Sequence, residues 1–187
     1  MIKEIIFDCF GVLTQDSWLA FLDEYATKDN IDELKYFNYQ FDRGNISLDD
    51  FVEQASIIVG INKDKAFLVI ASSHHPNKKL FTYIRELKES KLDLGIISNV
   101  GRELSEYLPD KYLQLFDRIT LSYKAGSTKP SPEIYRVHLS KSGYKPDEVV
   151  FIDDREINCD GAKALGIKTI LFQNFEQTKD ELEKLLQ

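Results

Sequence analysis

Ile2-Lys3-Glu4-Ile5-Ile6-Phe7-Asp8-Cys9-Phe10-Gly11-Val12-Leu13-Thr14 decides the fold. Ile5, Ile6 and Phe7 form a continuous apolar run, not an alternating one, and it ends abruptly in a carboxylate. A strand buried on both faces reads this way, and such strands belong to parallel sheets covered by helices. Four further runs rich in Ile, Val, Leu and Phe repeat the pattern at residues 92–98, 116–122, 149–153 and 167–172. Helical start signals separate the later ones. Ser131-Pro132-Glu133 puts a capping residue before a proline at the first helical position, and Thr178 with Glu181 reads as a capping box opening the last helix. Strand and helix alternate, which predicts an α/β fold with a doubly wound, Rossmann-like parallel sheet of about five strands.

The stretch between the first two strands is different. Its segments read as helices at residues 17–27, 31–41, 47–59, 64–71 and 77–89, with Ser47-Leu48-Asp49-Asp50 opening the third as a capping box. The expected organisation is a core of residues 1–14 and 80–187 interrupted by an all-helical cap at 15–79. Trp18, Phe21, Tyr36, Phe37, Tyr39 and Phe41, at helical spacing, are expected to form the cap's own core, with one or two rings facing a cleft.

Composition narrows the function. The chain has 187 residues, 43% hydrophobic and 29% charged, as in a globular protein. Its 24 basic against 31 acidic residues give a net charge of −7, which disfavours nucleic-acid or anionic-membrane partners. No apolar run approaches the roughly 20 residues of a membrane span. The first strand carries Asp8 and no small-residue cleavage site, so a signal peptide is not expected. Two cysteines, Cys9 and Cys159, without metal spacing fit a reducing, cytoplasmic compartment. The oligomeric state is not readable.

Ligands of open parallel sheets bind at the carboxyl ends of the strands. Four ends carry polar residues: Asp8 after the first, Ser98-Asn99 at the second, Lys129 in the loop after the third and Asp153-Asp154 at the fourth. Taken singly, these are a cap, a turn, a solvated lysine and a second cap. Their coincidence on one edge favours a shared site. Two carboxylates about 4 Å apart repel by roughly 4 kcal/mol at an effective dielectric near 20, so Asp8, Asp153 and Asp154 need a cation. A hard all-oxygen set suits magnesium. Lys129 and the Ser98 hydroxyl remain to hold an anion against it.

Phe7-Asp8-Cys9-Phe10-Gly11-Val12-Leu13-Thr14, Ile96-Ile97-Ser98-Asn99, Lys129-Pro130-Ser131-Pro132-Glu133-Ile134-Tyr135, and Phe151-Ile152-Asp153-Asp154 with Asn158 occur in that order. Together they resemble the four motifs of the haloacid dehalogenase-like (HAD) superfamily of hydrolases, and the helical segment resembles that family's cap. The resemblance implies a Mg2+-dependent phosphatase of a small phosphate ester. Asp8 would be the nucleophile and Ser98 and Lys129 its catalytic partners. Phe10, Gly11, Ser98, Asn99 and Lys129 would surround the substrate. Asp8, the Phe10 carbonyl, Asp153 and Asp154 would hold the metal.

One position departs from the family. Most of its phosphatases carry a second aspartate two residues after the nucleophile, the acid that protonates the leaving group, and here Phe10 stands there. In an extended segment residues 8 and 10 project to the same side, so a ring replaces a carboxyl. The haloacid dehalogenases of the same superfamily also carry an aromatic residue there, which makes dehalogenation an alternative. They lack an acidic pair like Asp153-Asp154 and use a cap arginine, for which this sequence offers only Arg43 before residue 80. His74-His75 is a candidate replacement acid, with a surface loop the plainer reading. A catalytically weak phospho-ligand binding protein is the third possibility.

Overall fold

The computed structural model describes residues 1–71 and 75–187. Strands β1 (Glu4–Phe7), β2 (Asp93–Ser98), β3 (Arg118–Leu121), β4 (Val149–Asp153) and β5 (Lys168–Leu171) form one sheet in the order β3-β2-β1-β4-β5. Every pairing is parallel, as the apolar runs require. The chain moves outward from β1 through β2 to β3, then crosses back to β4 and β5. The β1/β4 boundary is therefore the switch point where a crevice opens beyond the strand ends. Register aims the polar residues at it. Phe7 lies opposite Ile152, which brings Asp8 level with Asp153, and the Asp8 N–H donates to the Ile152 carbonyl at 2.8 Å.

Alternate residues of β1 serve opposite layers, as a strand's period of two demands. Ile5 and Phe7 join Leu80, Phe81 and Ile84 of α5 (Lys78–Glu89) and Leu182 of α10 (Phe175–Leu186). Ile6 faces Ile134 and Tyr135 of α8 (Pro132–Ser142) and Ala162 of α9 (Glu156–Lys163). Short helices α6 (Asp110–Leu113) and α7 (Ser122–Ala125) flank β3.

Between β1 and α5 lie α1 (Ser17–Tyr25), α2 (Ile31–Asp42), α3 (Leu48–Val59) and α4 (Lys63–Ile70). Asp16 and Asn62 cap α1 and α4, and the Ser47–Asp50 box opens α3. No strand occurs among the described residues of 15–79. These helices bury a cluster of their own, including Phe21, Leu34, Phe41, Phe51 and Ile70, while Tyr36 and Tyr39 remain exposed.

Two details correct the sequence reading. The last helix starts one turn before Thr178: Asn174 caps it by accepting from the Gln177 N–H, and Thr178 is a buried helical residue with 1% exposure. Asparagine is at least as good a cap as threonine, and starting at Phe175 lets that ring pack against Tyr83. Ser131 makes no side-chain capping bond, so Pro132 at the first turn does the starting. His74 lies outside the described residues, and His75 is exposed.

Candidate active site

Asp8 follows β1, Asp153 closes β4 and Asp154 follows it. One oxygen from each of these carboxylates lies within 4.8 Å of the others. Asp8 is 6% exposed and Asp153 0%. Between them the ammonium of Lys129, a residue 4% exposed, reaches Asp8 Oδ1 at 2.6 Å and Asp153 Oδ2 at 2.7 Å. Three carboxylates thus share one nearby lysine. Burial, then repulsion from Asp153, holds the Asp8 carboxyl well above the usual range despite Lys129. Burial and Asp153 likewise push Asp154 up to about 6. Burial acts to lower the Lys129 pKa, but the charges of Asp153 and Asp8 outweigh it and raise it.

The second ring of contacts fixes these groups. Asp153 accepts from the Arg155 N–H at 2.9 Å and from Asn158 Nδ2 at 3.0 and 3.1 Å. The backbone of Lys129 is clamped by Asn99, whose Nδ2 donates to the Lys129 carbonyl at 3.0 Å while its Oδ1 accepts the Lys129 N–H at 2.8 Å. The Lys129 ammonium lies 5.4 Å from the centre of the Phe151 ring. Gly11 sits at φ +84°, and a Cβ there would overlap the Asp154 carboxylate. Only glycine meets both demands. The turn it allows sends the Leu13 and Thr14 N–H groups onto the Cys9 carbonyl at 2.9 and 3.0 Å. Ser98 is fully buried, and its hydroxyl has no hydrogen-bond partner among the described residues. An unsatisfied buried hydroxyl is costly unless something outside the chain takes it.

A cavity of about 100 Å³ opens onto this cluster. Asp8, Asn99 and Lys129 line it from the sheet edge, together with Phe10. The Phe10 ring meets Tyr107 edge-on, 5.0 Å between centres. The helices contribute Trp18, Phe41 and Phe51, so two of the cleft-facing aromatic candidates from the sequence reach it. Arg43 does not line the cavity. Its Nη1 donates instead to the Tyr39 hydroxyl at 2.8 Å on the exposed side of α2.

Six polar lining residues were not singled out as site candidates from sequence: Asp16, Ser17, Asn38, Asp42, Tyr107 and Arg155. Asp42 matters most for chemistry, because burial and the nearby Asp16 push its carboxyl up to about 7. A usable signal existed in α2. Leu34, Asn38, Phe41 and Asp42 recur at helical spacing on one face, and Leu34 and Phe41 are its buried members.

The donors suit a divalent cation. The cluster offers only hard oxygen ligands, carries more negative charge than Lys129 balances, and adjoins an orphaned hydroxyl. Magnesium, bound through one or two carboxylates plus phosphate oxygens, fits that set.

Residues 2–166 match the haloacid dehalogenase-like hydrolase family. Over its whole length the chain is 25% identical to the D-ribitol-5-phosphate phosphatase of Bacteroides thetaiotaomicron, covering 99% of it. It is 26% identical to a sesquiterpene phosphatase of Aspergillus oryzae over 98% of this chain and 96% of that one. An aspartate-to-alanine mutant of a HAD family enzyme from B. thetaiotaomicron, crystallised with magnesium and inorganic phosphate, matches with TM-score 0.68 and 26% identity, covering 92% and 95% of the two chains.

Proposed function

This chain belongs to the haloacid dehalogenase-like hydrolase family, and we propose that it is a Mg2+-dependent phosphatase of a small phosphorylated metabolite. The observation carrying this reading is the buried Asp8, Asp153 and Asp154 cluster, bridged by Lys129 at a strand-end crevice. Asp8 Oδ attacks phosphorus as the bond to the leaving oxygen breaks, giving a phosphoaspartate. Water then attacks phosphorus, the bond to Asp8 breaks and inorganic phosphate leaves. Covalent catalysis of this kind divides one hard displacement into two easier ones. Lys129, 2.6 Å from Asp8 Oδ1, would pair with one oxygen of a phosphoryl group bonded to Asp8, and the orphaned Ser98 hydroxyl would donate to another. Asn99 and Gly11 shape the phosphate cradle through the Lys129 clamp and the turn beside Asp154. Magnesium, held by Asp8, the Phe10 carbonyl and Asp154, with Asp153 direct or through water, would supply the positive charge that offsets the phosphoryl oxygens.

Residues 15–79 act in this reading as a cap over a core of 1–14 and 80–187. Its separate hydrophobic cluster supports the division. A cavity of about 100 Å³ favours a small ester over a polymer end.

Phe10 favours a second reading, dehalogenation, which needs no leaving-group proton. The acidic pair and the outward-turned Arg43 weigh against it. A panel of phosphate esters and short 2-haloacids, with and without Mg2+, separates the two. Phosphate release that requires Mg2+ and falls at least about 10³-fold in a folded Asp8→Asn variant is the expected outcome. Halide release would replace this reading with dehalogenation. Ligand binding without turnover would make the chain a binding protein.

A further inference from the structure

On the phosphatase reading, the position that would carry the leaving-group acid is a phenylalanine. We propose that Asp42, at the C-terminal end of α2, is the general acid and base of this site, delivered from the helical layer instead of from the segment after the nucleophile.

The geometry supports this in three ways. Asp42 lines the same cavity as Asp8 and Lys129. The turn that carries it is fixed to the sheet edge: the Ser122 hydroxyl bonds the Asp42 carbonyl and also accepts the Val100 N–H at 2.8 Å. Gly101 approaches the Phe41 carbonyl so closely that a Cβ would collide with it. The last turn of α2 is therefore registered against the residues just beyond Ser98-Asn99. Finally, the carboxyl is only half committed. Oδ2 accepts from Asn38 Nδ2 at 3.0 Å, and the other oxygen has no hydrogen bond among the described residues.

The surroundings suit a group that must both give and take a proton. Asp16 from the start of α1, Lys129 from the loop before α8 and Arg155 from the start of α9 act on it, Asn38 bonds it from its own helix, and Tyr107 faces it from beyond β2. Burial and Asp16 outweigh the two cations and bring the carboxyl to about 7, near the best value for proton transfer at neutral pH. Asp16, another carboxyl lining the cavity from the helical side, serves as the cap of α1: its Oδ1 accepts from the Trp18 and Leu19 N–H groups at 2.9 and 3.1 Å.

The proton balance closes. As Asp8 Oδ bonds phosphorus, the ester P–O bond breaks and its oxygen takes the Asp42 proton, leaving as an alcohol. The Asp42 carboxylate then removes a proton from the water that attacks phosphorus. The Asp8–phosphorus bond breaks, phosphate leaves, and Asp42 ends protonated as it began.

The test is Asp42→Asn in the full chain with Mg2+, which keeps the shape and the bond from Asn38. Product bursts are read on an alkyl phosphate and on p-nitrophenyl phosphate, whose leaving group needs no proton. The alkyl burst rate is expected to fall about 10²- to 10⁴-fold, with the aryl burst within about threefold of wild type. The alkaline fall in the wild-type alkyl profile near neutrality should vanish in the variant. Equal losses on both esters, or an unchanged alkyl rate, would overturn the role of Asp42 and leave the phosphatase reading standing. A wild-type chain inactive on both esters would overturn that reading and this proposal together.

Discussion

The two ends of the central strand each bury an acidic residue, and they treat it in opposite ways. At the amino end Glu4, 0% exposed, accepts Arg118 Nη1 at 3.1 Å and lies 3.2 Å from His138 Nε2. Arg118 also bridges to Asp93 at 2.8 Å, Asp93 accepts the Tyr144 hydroxyl at 2.8 Å, and His138 Nδ1 meets Thr120 Oγ1 at 3.0 Å. Apart from Glu4 Oε2, which is buried without a hydrogen bond among the described residues, that end is a closed network. At the carboxyl end three carboxylates crowd round one lysine, and the Ser98 hydroxyl has no hydrogen bond among the described residues. Groups of the same kind therefore hold the sheet together at one end and stay available at the other. The shortfall of positive charge leaves the carboxyl end open to a cation.

Removing a partner at the closed end should have the largest effect on stability. Glu4→Ala leaves His138 and half of the Arg118 pairing without an acceptor, at a cost of about 3 kcal/mol, the lower part of the range for broken buried pairs because Arg118 keeps Asp93. Urea unfolding followed by circular dichroism checks this. Turnover per folded molecule should stay within about twofold of wild type. A marked loss of turnover in the folded variant would break the division between the ends.

Next in size is the gain from ligation at the open end. Magnesium at about 100 times its dissociation constant should stabilise the native state by about 2.7 kcal/mol, a Tm rise of roughly 5–10 °C for a chain of this length. Asp154→Ala should lose most of that gain. An unchanged Tm in wild type and variant alike would remove the metal from the site.

The last effect concerns pH. Asp42 keeps its proton in the native state up to about 7, whereas an unfolded aspartate loses it near the ordinary value of 3.8. Between those values the native state binds more protons, so wild-type stability falls as pH rises. Asp42→Asn lacks this penalty. Its Tm should match wild type near pH 4 and climb above it as pH rises towards and past 7. A difference independent of pH would count against a buried, protonated Asp42.

Much of the open end was legible in the sequence because Asp8, Ser98 and Asp153 each terminate or follow an apolar run, and parallel pairing sends all such ends to one edge. Lys129 was legible for the same reason, through its loop. Asp16 and Arg155 were not, since their approach depends on how the helices settle over the sheet, a tertiary fact with no local pattern; Asp42 shares a helical face with Leu34, Asn38 and Phe41, but that spacing does not say which surface the face meets. Attention to Arg43 as a cap arginine passed over its neighbour. One residue is a rotation of about 100° on a helix, enough to turn Arg43 outward to Tyr39 and Asp42 into the cleft. Thr178 failed differently: two capping residues compete within one turn, and the choice of Asn174 is made where Phe175 meets Tyr83.

The contact between Gly101 and the Phe41 carbonyl works as a missing shim. The spacing between the helical layer and the sheet is set by an atom that is not there, so any side chain at 101 would wedge the layers apart. On the proposed role of Asp42, selection for a bulkier ester could thus enlarge the cleft by a single methyl group without altering a proposed catalytic side chain, but the same wedge would draw Asp42 away from the leaving oxygen. Wider substrate tolerance and rapid proton delivery would then trade against each other through one glycine.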